Sequence, residues 1–191
     1  MEQTRKQLEE AFPIGTKVYV CCEHLYKRDS RRILTTVEYV VCEGRIFNYF
    51  MLKSYNLIRV IYIDPEGHFN IECYEAKQMN EYFWLKPKGA AEKAKRLTER
   101  YERVWGGMGY PGEYPLRRTW EHYLRGEDFT KSAPRGNLRR WFIIYRNTST
   151  NERCGSVVYG DDLEAARKNA EEKRVKNELA EYEVFEIDEM K

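Results

Sequence analysis

Alternation of apolar and polar residues with a period of two dominates the first third of the chain. Between Ile33 and Val41, the residues Val37, Tyr39 and Val41 alternate against polar neighbours, and flanking stretches are equally rich in β-branched and aromatic residues. This pattern is typical of strands that bury one face, because successive side chains of a strand point to opposite sides. We predict strands in three such runs, at 16–22, 33–41 and 45–52.

Two further strands extend this sheet. The apolar segments 56–63 and 68–75 flank the sequence DPEG at 64–67. Proline suits the second position of a type I turn and glycine the fourth, so we predict a β-hairpin here. Gly44 interrupts the second run of strand residues, where a bend would let the sheet curl on itself. We therefore expect a five-stranded, barrel-like antiparallel sheet.

Helical spacing replaces the alternation at the end of this region. Within 81–104 a short apolar strand is followed by apolar residues that recur three and four positions apart, which indicates a helix with one buried face. The expected buried residues are Ala91, Ala94, Leu97, Tyr101 and Val104. A shorter helix precedes the sheet and must end at Pro13.

Three segments of this region resemble known proteins. They are GTKVYV at 15–20, EYVVCEGRI at 38–46 and YFWLKPKGAAEKA at 82–94. Together they resemble small barrel domains in accessory proteins of bacterial phages and mobile elements, over about half of the chain. Such proteins often interfere with host nucleic-acid machinery, anti-CRISPR inhibitors among them. The resemblance implies that context and assigns no active residue.

The last part of the chain predicts a small second unit. Strand patterns at 140–146 and 153–160 flank a polar turn, a helix follows, and a last strand covers 182–188. Asp161 and Glu164 have the spacing of a capping box at the start of the helix. The expected buried stripe of this helix is Leu163, Ala166 and Ala170.

These patterns together define an α+β protein in three parts. The first part is a barrel-like β domain with flanking helices at 1–104. A connector rich in glycine, aromatic residues and arginine follows at 105–139, and a ββαβ unit closes the chain at 140–191. At about 50 residues, the last unit is small for independent stability and is expected to lean on the first.

Composition limits the kinds of protein this chain can be. Aromatic residues make up 14% of its 191 residues, enough to fill cores and leave rings on the surface. No stretch approaches the ~20 consecutive apolar residues of a membrane-spanning helix. The five cysteines are an odd number, and no basic and apolar leader precedes them. We expect a protein of the reducing cytoplasm without disulfides.

The sequence WGGMGYPGEYP at 105–115 raises three alternatives for the connector. A phosphate-binding loop would need a Gly-Lys-Ser/Thr motif and a helix start, which Tyr110 and Pro111 disfavour. A plain tether would be dominated by glycine and serine. A contact surface fits best, because arginine mixed with tryptophan and tyrosine is the composition of binding hot spots. The residues predicted to bind a partner are Tyr110, Tyr114, Arg117, Arg118, Trp120, Arg139 and Arg140.

Charge is distributed unevenly along the chain, although 33 Lys and Arg against 31 Asp and Glu leave a net charge of only +2. Eight basic and three acidic residues between 117 and 146 give a local charge of +5, and six basic against eleven acidic residues at 161–191 give −5. Two interpretations stay open. In the first, the two segments neutralise each other within the fold; in the second, they steer a charged partner.

Catalytic and metal-binding patterns are weak in this sequence. Zinc ligands could come from Cys21, Cys22, His24, Cys42, His68 and Cys73. Adjacent cysteines chelate poorly in a tetrahedral site, however, and no Cys-x-x-Cys pair is present. A cysteine nucleophile with His24, His68 or His122 as its base lies in no known motif. We predict neither an enzyme nor a metal or other cofactor.

The resulting expectation is a binding protein. We expect an inhibitor of a bacterial nucleic-acid-processing machine, with a protein or ribonucleoprotein as its partner. The alternative is a direct binder of RNA or single-stranded DNA, which would use arginine for phosphates and aromatic rings for base stacking.

Overall fold

The computed structural model describes residues 5–29, 32–51, 56–65, 67–105, 120–127 and 139–190. In chain order the elements are α1 (Arg5–Ala11), β1 (Lys17–Asp29), β2 (Arg32–Met51), β3 (Asn56–Ile63), β4 (Phe69–Tyr74), a 3₁₀ helix (Ala76–Gln78), β5 (Phe83–Trp84), α2 (Pro87–Trp105), α3 (Trp120–Leu124), β6 (Arg139–Asn147), β7 (Arg153–Gly160), α4 (Leu163–Lys176) and β8 (Tyr182–Met190). Two antiparallel sheets with helices packed on them confirm the predicted α+β class.

The first sheet has the strand order β4-β3-β2-β1-β5, and each neighbouring pair is antiparallel. A β-bulge between Ile46 and Asn48 bends β2 where it pairs with β3. The sheet has five strands, but two of the predicted runs, 33–41 and 45–52, form the single strand β2, and the fifth strand is β5, the short apolar strand predicted before α2. The sheet does not close into a barrel, because β4 and β5 remain its two edges. These edges approach each other through side chains, with the ring centroids of Tyr74 and Phe83 5.3 Å apart.

The face enclosed by this curl carries the main hydrophobic core. Val20, Ile58 and Phe83 are fully buried on it. Helix α1 covers one side through Leu8 and Phe12, and the Phe12 ring meets the Phe83 ring edge to face at 6.0 Å. Val40 and Cys42 of β2 point into this core, whereas Tyr39 and Val41 of the alternating pattern point to the opposite face of the sheet.

Helix α2 packs on the opposite face of the sheet. Ala90, Ala91 and Ala94 are fully buried, and these small side chains let the helix approach Tyr19 and Val41 closely. The predicted stripe is wrong at its last position, because Val104 is 61% exposed. At 3.6 residues per turn, position 104 lies about 80° round the helix from position 94, away from the buried side.

The turn between β3 and β4 confirms the predicted hairpin. The Gly67 N–H donates to the Asp64 carbonyl at 3.0 Å. The Asp64 carboxylate accepts from the His68 N–H at 2.8 Å and from Asn70 Nδ2 at 2.9 Å. Partial burial raises the pKa of Asp64, but these hydrogen bonds outweigh it and hold the pKa below its ordinary value.

We expect Asp64→Ala to lower the free energy of unfolding by about 1–2 kcal/mol at neutral pH, because two donors lose their acceptor. A carboxyl group with a lowered pKa stabilises the fold above its unfolded pKa, about 3.9, and loses that effect as pH falls through its folded pKa. Urea denaturation at pH 7 and in acid should therefore show the difference from wild type shrinking in acid. A constant difference, or an equal loss in the exposed control Asp161→Ala, would contradict this role.

The second sheet has the strand order β7-β6-β8, with α4 on one face. Tyr145 Oη donates to the Ala170 carbonyl at 2.8 Å, and Trp141 Nε1 donates to the Gly160 carbonyl at 3.0 Å. These elements confirm the predicted ββαβ order. Two details of its helix differ from the prediction. The N-cap is Asp162 instead of Asp161, and Leu163 in the first turn is 48% exposed.

The two sheets share a hydrophobic seam. Phe142, Ile144 and Met190 of the second sheet are buried against Ile61 of the first. The central strand β6 therefore has apolar residues on both of its faces, one facing α4 and one facing the first sheet. Burial of this kind links the stability of the small unit to that of the first sheet. The domain boundaries at 104 and 139 stay a prediction.

Candidate docking surface on helix α2

Only part of the predicted contact surface falls within the residues that the structure describes. Tyr110, Tyr114, Arg117 and Arg118 lie outside them. Trp120 is the first residue of α3 and is 3% exposed. Its ring belongs to the cluster between α2 and the first sheet, so the expectation of an outward-facing ring is wrong for Trp120.

The two predicted arginines at the start of β6 are engaged with neighbouring residues. Arg140 Nη2 donates to the Gly67 carbonyl at 2.6 Å, and its guanidinium lies 5.4 Å from the centroid of the Phe69 ring. Arg139 is exposed, and its Nε lies 3.6 Å from a carboxylate oxygen of Glu189. Both arginines hold parts of the fold together, and their role in partner binding stays a prediction.

Ion pairs join the basic and acidic segments of the chain. Besides the contact of Arg139 with Glu189, Arg146 Nε donates to Glu183 at 2.9 Å. A third strand-β8 acid, Asp188, pairs with Arg45 of the first sheet at 2.8 Å. The pairs of Arg139 and Arg146 support the interpretation that the two charged segments neutralise each other within the fold, whereas Arg45 lies outside the basic segment.

Cys21 and Cys22 of β1 lie in surroundings that keep their thiols protonated. Burial raises the pKa of the Cys21 thiol to about 12. A hydrogen bond with Cys42, together with burial, raises the pKa of the Cys22 thiol strongly. Across the described residues, no group of three or more His, Cys, Asp or Glu side chains is placed to hold a metal ion.

Helix α2 carries an exposed row of cations that the sequence analysis did not single out. Its 19 residues contain six lysines and arginines against three glutamates. We call the exposed cations of α2 that pair with no carboxylate of the described residues the α2 cationic face, which consists of Lys88, Arg96, Arg100 and Arg103. A count of local charge within 87–105 could have found it.

The α2 cationic face differs from the arginines of the second sheet in its partners. No carboxylate of the described residues pairs with any of its four members, whereas Glu99 on the same helix pairs with Lys95 at 3.8 Å. At 3.6 residues per turn, Arg96, Arg100 and Arg103 lie within about 60° of one another round the helix. Their positive charges therefore point to the same side and reinforce one another in solution.

Two adjoining grooves lie beside the first turns of α2. Their volumes are about 510 and 450 Å³, and both are lined by Asn80, Trp84, Gly89 and Glu92. The Trp84 ring packs closely against Gly89, since a Cβ at Gly89 would be 2.3 Å from Trp84 Cδ1. We call this region the Trp84 groove. Its further lining residues are Met79, Glu81, Leu85, Lys86, Lys88, Lys93 and Arg96.

Leu85 and Lys93 line the Trp84 groove, and Tyr82 lies next to the groove through its contact with Lys93. Tyr82 and Leu85 are 44% and 43% exposed. Lys93 Nζ donates to the Glu81 carbonyl at 2.6 Å and lies 4.5 Å from the centroid of the Tyr82 ring. An ammonium held in place beside an exposed ring is suited to bind an anionic ligand with an aromatic part.

Comparison with family models, with curated proteins and with solved structures found no match to this chain. Among the helices that the structure describes, none is long and apolar enough to cross a membrane.

Proposed function

We propose that this protein is a non-enzymatic binding protein that inhibits a bacterial nucleic-acid-processing machine. Docking takes place through the α2 cationic face, on an anionic surface of a protein or ribonucleoprotein. A target of this kind lies in the cytoplasm. The observation that carries the proposal is the row of exposed cations without carboxylate partners among the described residues.

Unpaired surface charge is the part of the molecule that is available to a partner. The acidic strand β8 is matched by arginines of the fold, as in the pair of Arg146 and Glu183. The α2 cationic face has no such match among the described residues, so its field extends into solvent. Fields of this kind accelerate encounter with an oppositely charged surface and select against like-charged ones.

The support for the class of target is the resemblance of residues 15–20, 38–46 and 82–94 to barrel domains of phage and mobile-element accessory proteins. The last of these segments includes the start of α2. The anionic surfaces of a nucleic-acid-processing machine are its bound nucleic acid and its acidic protein patches. Either one complements the α2 cationic face.

Affinity capture from a bacterial lysate, with and without nuclease treatment, tests this proposal. We expect the tagged chain to capture one protein and to release it as salt is raised, because exposed charges are screened. Retention of that protein after nuclease treatment would identify an acidic protein patch as the docked surface, and its loss would identify bound nucleic acid. Adding the chain to the purified partner should then reduce the partner's activity on nucleic acid. Capture of nucleic acid alone, or a partner with unchanged activity, would contradict the proposal.

A further inference from the structure

We propose that the Trp84 groove binds a single-stranded segment of RNA or DNA, with one base stacked on Tyr82 and the adjoining phosphates held by the lysines that line the groove. The inference rests on the proposed function, because it names the chemistry that the start of α2 recognises in its partner. The observations that support it are the cations, the exposed ring and the packing of the groove.

The cations around the Trp84 groove favour an anionic ligand. Lys86 and Lys88 are exposed at the start of α2, and no carboxylate of the described residues pairs with them. Lys93 and Arg96 line one of the two grooves, whose acidic lining residues are Glu81 and Glu92. Together the four cations outnumber the two acids, so the groove favours an anionic chain such as a phosphodiester backbone.

The exposed ring of Tyr82 favours a ligand that carries an aromatic base. Tyr82 keeps 44% of its surface open to solvent although a lysine ammonium lies 4.5 Å from its ring centroid. An acidic peptide would use the lysines but has no need of a ring beside them. A nucleotide uses both, because its base stacks on an aromatic face and its phosphate meets the cation.

Trp84 and Lys93 are held in place before a ligand binds. Trp84 is 7% exposed and rests on the backbone of Gly89, so the floor of the groove is already packed. The hydrogen bond of Lys93 to the Glu81 carbonyl fixes the ammonium in position. Trp84 and Lys93 therefore need little further ordering on binding, which favours affinity. Bases of a duplex are stacked inside the helix, so the groove selects single strands.

Fluorescence anisotropy with a labelled oligothymidylate of about 12 nucleotides tests this inference, because such a length spans a typical single-strand site. We expect binding that weakens steeply with salt. Tyr82→Ala should weaken it about tenfold through the loss of one stack, whereas Tyr82→Phe keeps the ring and should bind as wild type does. Phe50→Ala removes a similarly exposed ring, 49% exposed, far along the chain and should have no effect.

Two further probes separate the failure of this inference from the failure of the proposed function. A duplex of the same length should bind about tenfold more weakly if a base must stack in the groove. Equal binding of the duplex, or of Tyr82→Ala, overturns the inference. If poly-L-glutamate binds and the oligonucleotide does not, the inference is wrong and docking on an acidic protein surface stands. If neither polyanion binds, both proposals are wrong.

Discussion

Phe142→Ala is expected to lower the free energy of unfolding by about 3–5 kcal/mol, the cost of deleting a fully buried phenylalanine ring. Phe142 is 2% exposed and lies in the seam with Ile61, Ile144 and Met190. Removal of its ring leaves a cavity between the two sheets that neither sheet can fill alone. Because both sheets lose contacts, the whole chain should unfold at a lower denaturant concentration.

Guanidinium chloride denaturation, followed by far-ultraviolet circular dichroism and by tryptophan fluorescence, measures this effect. Trp84 and Trp120 report on the first sheet and the helices packed on it, and Trp141 reports on the second sheet. We expect a single transition with both probes, shifted equally by the substitution. Phe50→Ala, at a 49% exposed position, is the control and should cost less than about 1 kcal/mol. Two separate transitions, with the first sheet unaffected by Phe142→Ala, would show that the units fold independently.

Reversal of charge at Arg96, Arg100 and Arg103 is expected to weaken binding of the captured partner by at least about 100-fold, because like charges across an interface cost several kcal/mol. All three side chains are exposed, so the substitutions to glutamate should leave the fold intact. The dissociation constant is measured by titration at physiological salt and again at raised salt. The difference between wild type and variant should shrink as salt screens the charges.

Helix α4 offers a matched control for this experiment. Arg167, Lys168 and Lys176 are equally exposed, and their reversal changes the net charge by the same amount. If binding depends on the α2 cationic face, the α4 variant should lose less than about tenfold, the effect of net charge alone. Equal losses in the two variants would mean that overall charge, and not α2, governs the interaction.

Much of the fold could be predicted because the signals are local. The alternation around Tyr39 reports which side chains share a face, and DPEG at 64–67 has the turn residues that a tight hairpin requires. The position of the bend was not predictable in the same way. Gly44 lies in continuous pairing within β2, and the bulge falls at Ile46 and Asn48. Gly44 instead provides space, since a Cβ there would be 2.8 Å from the Ile61 carbonyl.

Closure of the sheet and the identity of one cap depend on details that composition does not contain. Adjacent carboxylates at Asp161 and Asp162 both satisfy the preference for an acidic N-cap. In the structure Asp162 is the N-cap, because its carboxylate accepts a hydrogen bond from the Ala165 N–H at 2.8 Å. Whether a five-stranded sheet closes depends on the pairing of its edges, and alternation within single strands does not report on that.

The contact surface was harder to predict than the fold. A tryptophan among arginines is equally compatible with an interface and with a core, and Trp120 belongs to the core. The pair of Arg146 and Glu183 joins positions 37 residues apart through the register of β6 and β8, which single-strand patterns do not reveal. Arg139 and Arg146 of β6, which stood out in the sequence, are neutralised by the fold, and the cations of the α2 cationic face are not.

Site-specific photo-crosslinking tests the central claim most directly. A benzophenone amino acid is placed at position 100, on the α2 cationic face, and in a second variant at position 167 on α4. Irradiation of each variant with the captured partner should give a covalent adduct from position 100 and none from position 167. An adduct from position 167 alone, or no adduct from position 100 in a variant that still inhibits the partner, would contradict docking through α2.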